Sequence, residues 1–378
     1  MGKMQKIIIA LAVIIIAVGG FVFFKKRSQP AQRKQIDINQ KIDTTTPRNP
    51  ENVSYLSGLP CQDWNRRSIA VMQPADVSAR PASGFSDADM VFEMPVITAS
   101  ITRLMGVYVC GNPEDVGSMR SARHDFLSLA EGLDAIFVHW GRSDIQKFKD
   151  VLNSKTYDDM NCNDDAGRSA SQYCYRKTGM ARGVDTGYAK FAKLLEGAKA
   201  FGYNLQNKFV GYPHKDEAPL DQRPSGGHLR VAFAKPYDVT YDYDKTSNSY
   251  LRSWGGVADT DRNNNKRLAP KNVVVLVAQS DQLVEGEQYN NVQLGDPWFD
   301  SVDTGEAHYY MNGAEATGTW KKDKSDAKNK LFFYDASGQE IQFVPGQIWV
   351  EILEPGQGLK WTLSDTSTVP TTPTATTP

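Results

Sequence analysis

Between residues 80 and 142 the chain concentrates groups able to do chemistry. Arg80, Asp87, Asp89 and Glu93 come first, then Thr102 and Arg103, then Arg120, Ser121 and Arg123, and last His139 and Arg142. Arg120 and Arg123 are three residues apart, just ahead of a stretch with apolar groups at helical spacing. That spacing predicts two guanidinium forks on one helical turn, close to free backbone N–H groups. Such a pair suits an anion, a carboxylate or a phosphate, held in bidentate fashion. His139 is expected to close a strand, and in an open α/β sheet the carboxyl ends of strands line the ligand crevice. Glu93 would supply a carboxylate partner.

The set therefore reads as a ligand-binding crevice of Arg103, Arg120, Ser121, Arg123, His139 and Glu93. If the site is catalytic, His139 or Glu93 would be the general acid or base. Ser121 lacks the GxSxG elbow of a nucleophile. The competing reading is structural, with the arginines in ion pairs and the histidine simply hydrogen-bonded.

No metal site and no cofactor are expected. The cysteines show no CxxC spacing, and no histidine neighbours them at ligand spacing. Asp259, Asp261, Asn263 and Asn265 alternate like a calcium loop, but Asn264 and Pro270 stand where an EF-hand needs Gly and Glu, so a polar hairpin turn is expected. Asp158, Asp159, Asn163, Asp164 and Asp165 read as a solvated acidic loop, and Lys321, Lys322, Lys324, Lys328 and Lys330 as a basic hairpin face. A formal net charge of −1 and a pI near 6.5 argue against a nucleic-acid partner.

The elements that must position these groups divide in two. Strand-like runs at Ser68–Gln73, Ala88–Met94, Ile101–Cys110 and Asp134–Trp140 alternate with helical spacing at Arg120–Leu133, from Ser143, and at Thr186–Phe201. This predicts an α/β domain over residues 55–210. From 211 to 355 the texture changes to short strands separated by turn signals such as Asn312-Gly313 and Ala336-Ser337-Gly338. That half reads as an antiparallel all-β domain of hairpins. Residues 356–378 form a Thr/Pro-rich tail.

Ahead of both domains, Ile7 to Phe24 is an uncharged apolar run. As a helix it would span roughly 27 Å, close to the hydrocarbon core of a bilayer. It ends in bulky residues and a basic cluster rather than a small-x-small cleavage site, so a single transmembrane anchor over 7–24 is expected, with 1–6 cytoplasmic and a polar juxtamembrane linker over 25–54. Flanking Lys and Arg alone would place the body in the cytoplasm. The four cysteines and the Thr/Pro tail favour the outside, which is the expected location. The pairing expected is Cys61–Cys110 and Cys162–Cys174, against the alternative of unpaired buried thiols.

The runs SGLPCQDWNRRSIAVMQ, ARPASGFSDADMVFEMPV, ITRLMGVY and GSMRSARHDFLSLAEGLDAIFVHWG resemble DUF3048, a family of bacterial envelope proteins that includes the YerB-like lipoproteins. VTYDYDKTSNSYLRSW, LAPKNVVVLVAQ, GTWKKDK and FYDASGQEIQFVPGQIWVEI are similar to its separate C-terminal domain. The resemblance covers about residues 55–355. It implies a two-domain extracytoplasmic protein tied to a bacterial membrane, of unassigned activity. Arg80, Pro81, Gly84, Asp89, Glu93, Thr102, Arg103, Arg120, Ser121, Arg123, Asp134 and His139 match its pattern. Two departures stand out: an apolar helix where many members carry a lipid, and Arg182-Gly183-Val184-Asp185-Thr186 where Pro-His-Asn-Leu-Tyr is usual. The missing histidine tilts the expectation toward an anion-binding envelope protein, whose partner is a wall glycan, an anionic polymer or a membrane protein. A hydrolase acting on an envelope glycan or phosphodiester, and a non-catalytic scaffold, are the alternatives.

Overall fold

A computed structural model describes residues 51–283 and 289–364. The expected anchor at 7–24, most of the linker and the tail beyond 364 lie outside the described residues. Among the described residues no helix is long and apolar enough to cross a membrane.

The first half runs β1 (Ile69–Pro74), β2 (Met90–Pro95), β3 (Thr102–Tyr108), β4 (Asp115–Gly117), α1 (His124–Gly132), β5 (Ile136–His139), α2 (Gln146–Asn153), β6 (Asp159–Asn161), β7 (Tyr175–Arg176), β8 (Gly187–Lys190) and α3 (Phe191–Ala200). The second half is all strand: β9 (Gly226–Ala232), β10 (Val239–Asp244), β11 (Ser249–Trp254), β12 (Val257–Ala258), β13 (Asn272–Val277), β14 (Ser280–Gln282), β15 (Asn290–Val292), β16 (Thr304–Met311), β17 (Ala314–Lys321), β18 (Phe332–Asp335), β19 (Ile348–Leu353) and β20 (Gly358–Leu363). The α/β expectation holds in part. The protein is mostly β with few helices, a mixed sheet in the first half and largely antiparallel pairs in the second.

Strands from both halves share one ten-stranded sheet, in the order β18-β17-β16-β13-β19-β2-β3-β1-β5-β6. The join is β19, which pairs in parallel with β13 on one side and with β2 on the other. Because β3 runs antiparallel between β2 and β1, the strands β13, β19, β2, β1, β5 and β6 all point the same way. Their carboxyl ends form one edge.

Side chains alternate across this sheet with the period of two that a pleat imposes. Val71, Val91, Leu104, Ile136, Val273 and Trp349 face one way, into a core shared with α3 and with the five-stranded sheet β12-β11-β10-β9-β20. Met72, Phe92, Met105, Phe137, Val274 and Val350 face the other way, into a core covered by α1 and α2. Each fully buried side chain of this size stabilises the fold by roughly 1.5–3 kcal/mol, so both faces are firmly held.

Both expected disulfides form, with Cα–Cα distances of 5.8 Å for Cys61–Cys110 and 5.9 Å for Cys162–Cys174. They close sequence separations of 49 and 12 residues. Chain-entropy arguments value those closures at about 4 and about 3 kcal/mol.

Three expectations are corrected. Residues 358–363, assigned to the tail, are β20, which pairs with β9 through alternating side chains such as Trp361 opposite Leu229. The acidic loop is not merely solvated: Asp159 is buried, and so is Asn161, whose amide ties the loop together through Asp165 and the Ala166 carbonyl. The lysine run is not one exposed face, because Lys322 and Lys330 are buried. Lys322 donates to the carbonyls of Gly295 and Ala327, and Lys330 to Glu340 and the Gly211 carbonyl.

Candidate functional site

The site lies on the carboxyl edge. β1 ends at Pro74, opposite Arg103 at the start of antiparallel β3. Between β4 and α1 the chain crosses this edge in extended form. Arg120 N–H donates to Met72 O, Trp140 N–H donates to Arg120 O, and Ala122 N–H donates to Gly141 O, each at 2.9 Å. Arg123 caps α1 with φ −132° and ψ 151°. Arg120 and Arg123 therefore do not share a helical turn, as their spacing suggested. They converge because an extended segment stitches the ends of β1 and β5.

Arg103 Nη1 donates to the Ser121 carbonyl and Arg123 Nη1 to the Ala122 carbonyl, both at 2.9 Å. Arg120 Nη2 reaches two carboxylates, Asp76 at 3.2 Å just beyond β1 and Asp185 at 2.7 Å. Asp185, fully buried, also lies 3.4 Å from Arg182 Nε. The Tyr237 hydroxyl donates to Asp76 at 2.9 Å, and the Arg123 guanidinium sits 4.7 Å from the centroid of the Tyr289 ring. Among the described residues no carboxylate forms an ion pair with Arg103 or Arg123. The Nε atoms of Arg103, Arg120 and Arg123 are all buried without a hydrogen-bond partner in the protein.

The electrostatics follow from this arrangement. Burial holds Arg103 well below the ordinary arginine range, and Arg123 and Arg120 push it further down. Arg123 is pushed down to about 10, first by burial and in part by Arg120, against the pull of Tyr289 and Asp125. Arginine does not surrender its proton near neutrality. These directions therefore express crowded positive charge rather than neutralisation: Asp76 and Asp185, the carboxylates ion-paired in this cluster, are both bound to Arg120 and neither to Arg103 or Arg123. An anion with several acceptor oxygens would complete the unused donors and relieve the repulsion.

Glu93 and His139 are not brought into this cluster. Glu93 leaves the opposite face of the sheet from Arg103, being paired with Leu104. It is fully buried there, ion-paired with Arg252 and accepting from Thr102 Oγ1 at 2.6 Å. Arg252 also binds Asp259, lies 3.7 Å from Glu351, and accepts Trp349 as a ring partner at 4.5 Å. Arg80 Nη1 adds a second cation on Asp259 at 2.8 and 2.6 Å, and the Tyr241 hydroxyl donates to Glu351. Burial, then repulsion from Glu93, pushes the Glu351 carboxyl up to about 8. His139 is fully buried, with Nδ1 at 2.7 Å from the Gly141 carbonyl and Nε2 at 3.3 Å from Asp159. Both ring nitrogens are thus engaged in holding the turn after β5. Ser121 contributes its carbonyl to Arg103.

The suspected calcium loop is the expected turn. Asp259 serves Arg80 and Arg252, while Asp261 accepts the N–H groups of Gly84, Ser86 and Asn263. Sequence reasoning missed Asp76, Asp185, Tyr237 and Tyr289, which come from four separate loops. Only Asp185 carried a signal, since it lies in the pentapeptide that departs from the DUF3048 pattern.

Comparison with known proteins agrees with this architecture. Residues 56–204 match the N-terminal domain of DUF3048, a protein family of unknown function, and residues 229–350 match its C-terminal domain. The sequence is 28% identical over 305 residues to the protein named "Putative lipoprotein YerB" of Bacillus subtilis (strain 168), covering 79% of this chain and 85% of that one. The fold is similar to the crystal structure of YerB from Bacillus subtilis, with a TM-score of 0.68 and 26% identity over 82% of this chain and 99% of the other.

Proposed function

The chain belongs to the DUF3048 family, and on that premise we propose that it is a membrane-anchored protein of the bacterial cell envelope whose arginine crevice binds an anionic group. The ligand is a phosphate- or carboxylate-bearing wall polymer, or an envelope partner presenting such a group. Membrane anchoring draws support from the relative named "Putative lipoprotein YerB" and from the apolar run at 7–24. The extracytoplasmic location draws support from two disulfides, which persist in oxidising compartments. The observation that carries the binding reading is the trio Arg103, Arg120 and Arg123, with three buried unpartnered Nε atoms and, among the described residues, no ion pair to Arg103 or Arg123. The binding reading is preferred to the hydrolase alternative because His139 and Glu93 are closed off in their own interactions.

The test uses residues 43–378, which contain the whole compact unit. This fragment should be retained on an immobilised phosphodiester-bearing wall polymer and pass through a neutral glycan. Retention should fall with salt, as expected for charge-assisted contacts. Arg103→Gln combined with Arg123→Gln should remove it; a folded double variant that is still retained would sink the proposal.

A further inference from the structure

We propose that His124, Asp125, Asn291 and Asp296 form a buried site for a divalent cation of the zinc or manganese type. His124 opens α1 and is fully buried. Its Nε2 faces three oxygens from three stretches of chain: Asn291 Oδ1 at 2.7 Å, Asp125 Oδ1 at 3.2 Å and Asp296 Oδ2 at 3.5 Å. One ring nitrogen carries a single lone pair or a single proton, so it cannot satisfy three acceptors. The imidazole and the two carboxylates offer donor atoms that all lie within 4.8 Å of one another. Neighbouring ligands held at about 2.0–2.2 Å around a tetrahedral ion lie roughly 3.3–3.6 Å apart, close to the 3.2 and 3.5 Å between Nε2 and the two carboxylate oxygens.

A second observation points into the same space. Asp296 Oδ1 is fully used, accepting the N–H groups of Trp298 and Phe299 at 2.7 Å each. Its Oδ2 is buried without a hydrogen-bond partner and is directed at His124. Asp125 is fixed by the Val292 N–H at 3.1 Å, which orients its carboxylate. Asp300 holds the loop from behind, accepting the N–H groups of Leu294 and Asp296 at 2.8 and 2.7 Å. Lys322, buried nearby, donates to backbone carbonyls rather than to these acids, and Lys147 sits over the Phe299 ring. Two first-rank carboxylates balance a doubly charged ion. Phe299 and Phe148, with ring centroids 4.5 and 6.2 Å from that of His124, supply a dry shell. One imidazole nitrogen among oxygen donors favours zinc or manganese over calcium or magnesium.

The full-length chain, purified in detergent and stripped with EDTA, should be titrated with zinc and with manganese chloride, and with calcium and magnesium chloride as comparisons. One equivalent of zinc or manganese should bind and raise the melting midpoint by roughly 5 °C at a hundredfold excess over Kd, reversibly with EDTA. Asp296→Asn should weaken binding at least tenfold. Should that variant not fold, cobalt added to the stripped wild-type chain should give visible bands of mixed nitrogen and oxygen coordination. The absence of saturable zinc or manganese binding would show a cluster balanced by a proton on His124, and would overturn the site. Binding of calcium or magnesium alone would overturn the assigned class, and undiminished binding by folded Asp296→Asn the assigned ligands.

Discussion

Two clusters of buried charge adjoin the same sheet, one beneath the five-stranded sheet and one at the carboxyl edge, and they are built on opposite principles. Around Arg252 the cluster is closed. Arg80 and Arg252 meet Glu93, Asp259 and Glu351, and burial keeps a proton on Glu351 near neutrality. Two cations then face two anions, with Tyr241, Thr102 and two tryptophan rings completing the shell. At the carboxyl edge the cluster is open. Arg120 holds both Asp76 and Asp185, Arg103 and Arg123 have no ion pair among the described residues, and donors stay buried and unused. Buried ions normally demand partners. A cluster that meets the demand internally fixes how the five-stranded sheet sits on the large one, whereas one that falls short is poised for a ligand.

The contrast can be broken most violently at Arg252. Arg252→Met should leave Glu93 and Asp259 with Arg80 alone and cost about 3–5 kcal/mol, measured by urea denaturation of residues 43–378. Arg120→Ala should cost about 2 kcal/mol in the same assay, because buried Asp185 would keep only the half-exposed Arg182. Arg103→Gln and Arg123→Gln should differ in kind. Each relieves like-charge crowding, so the melting midpoint should hold or rise while retention on the anionic polymer drops about tenfold or more, an effect of ~1.4 kcal/mol. Equal loss of stability at all of these arginines would erase the distinction.

The smallest effect is a pH slope in the closed cluster. The Glu351 carboxyl is raised from 4.5 to about 8 in the fold. Its contribution is complete below 4.5 and is lost as pH rises through 8, since the unfolded chain sheds the proton first. Stability of the wild type relative to Glu351→Gln should therefore fall between pH 7 and 8 by on the order of 1 kcal/mol. A parallel pH dependence in the two proteins would mean that Glu351 is ionised in the fold.

The three arginines were legible because their residue type and clustering outlast any error in secondary structure. The helix expected from Arg120 in fact begins at His124, yet Arg120 and Arg123 still meet. Strand periodicity located β1, β2, β3 and β5 to within a few residues. What no local pattern carries is long-range pairing. Ile348 lies beside Met90 and Asp76 beside Arg120 through contacts far apart in sequence. Glu93 was misplaced for the same reason. Its alternation marks it as facing away from Arg103, but only the neighbouring sheet reveals that Arg252 waits on that side.

The position of β19 sets a timetable for the growing chain. Strand β2 has β3 on one flank, but its other flank is filled only by residues 348–351. A chain emerging from its amino end thus carries an unfinished central strand until nearly the whole polypeptide has been made. Completion of the central sheet therefore waits for one of the last strands of the chain. A copy truncated before residue 348 would display the bare edge of β2, a template for aggregation.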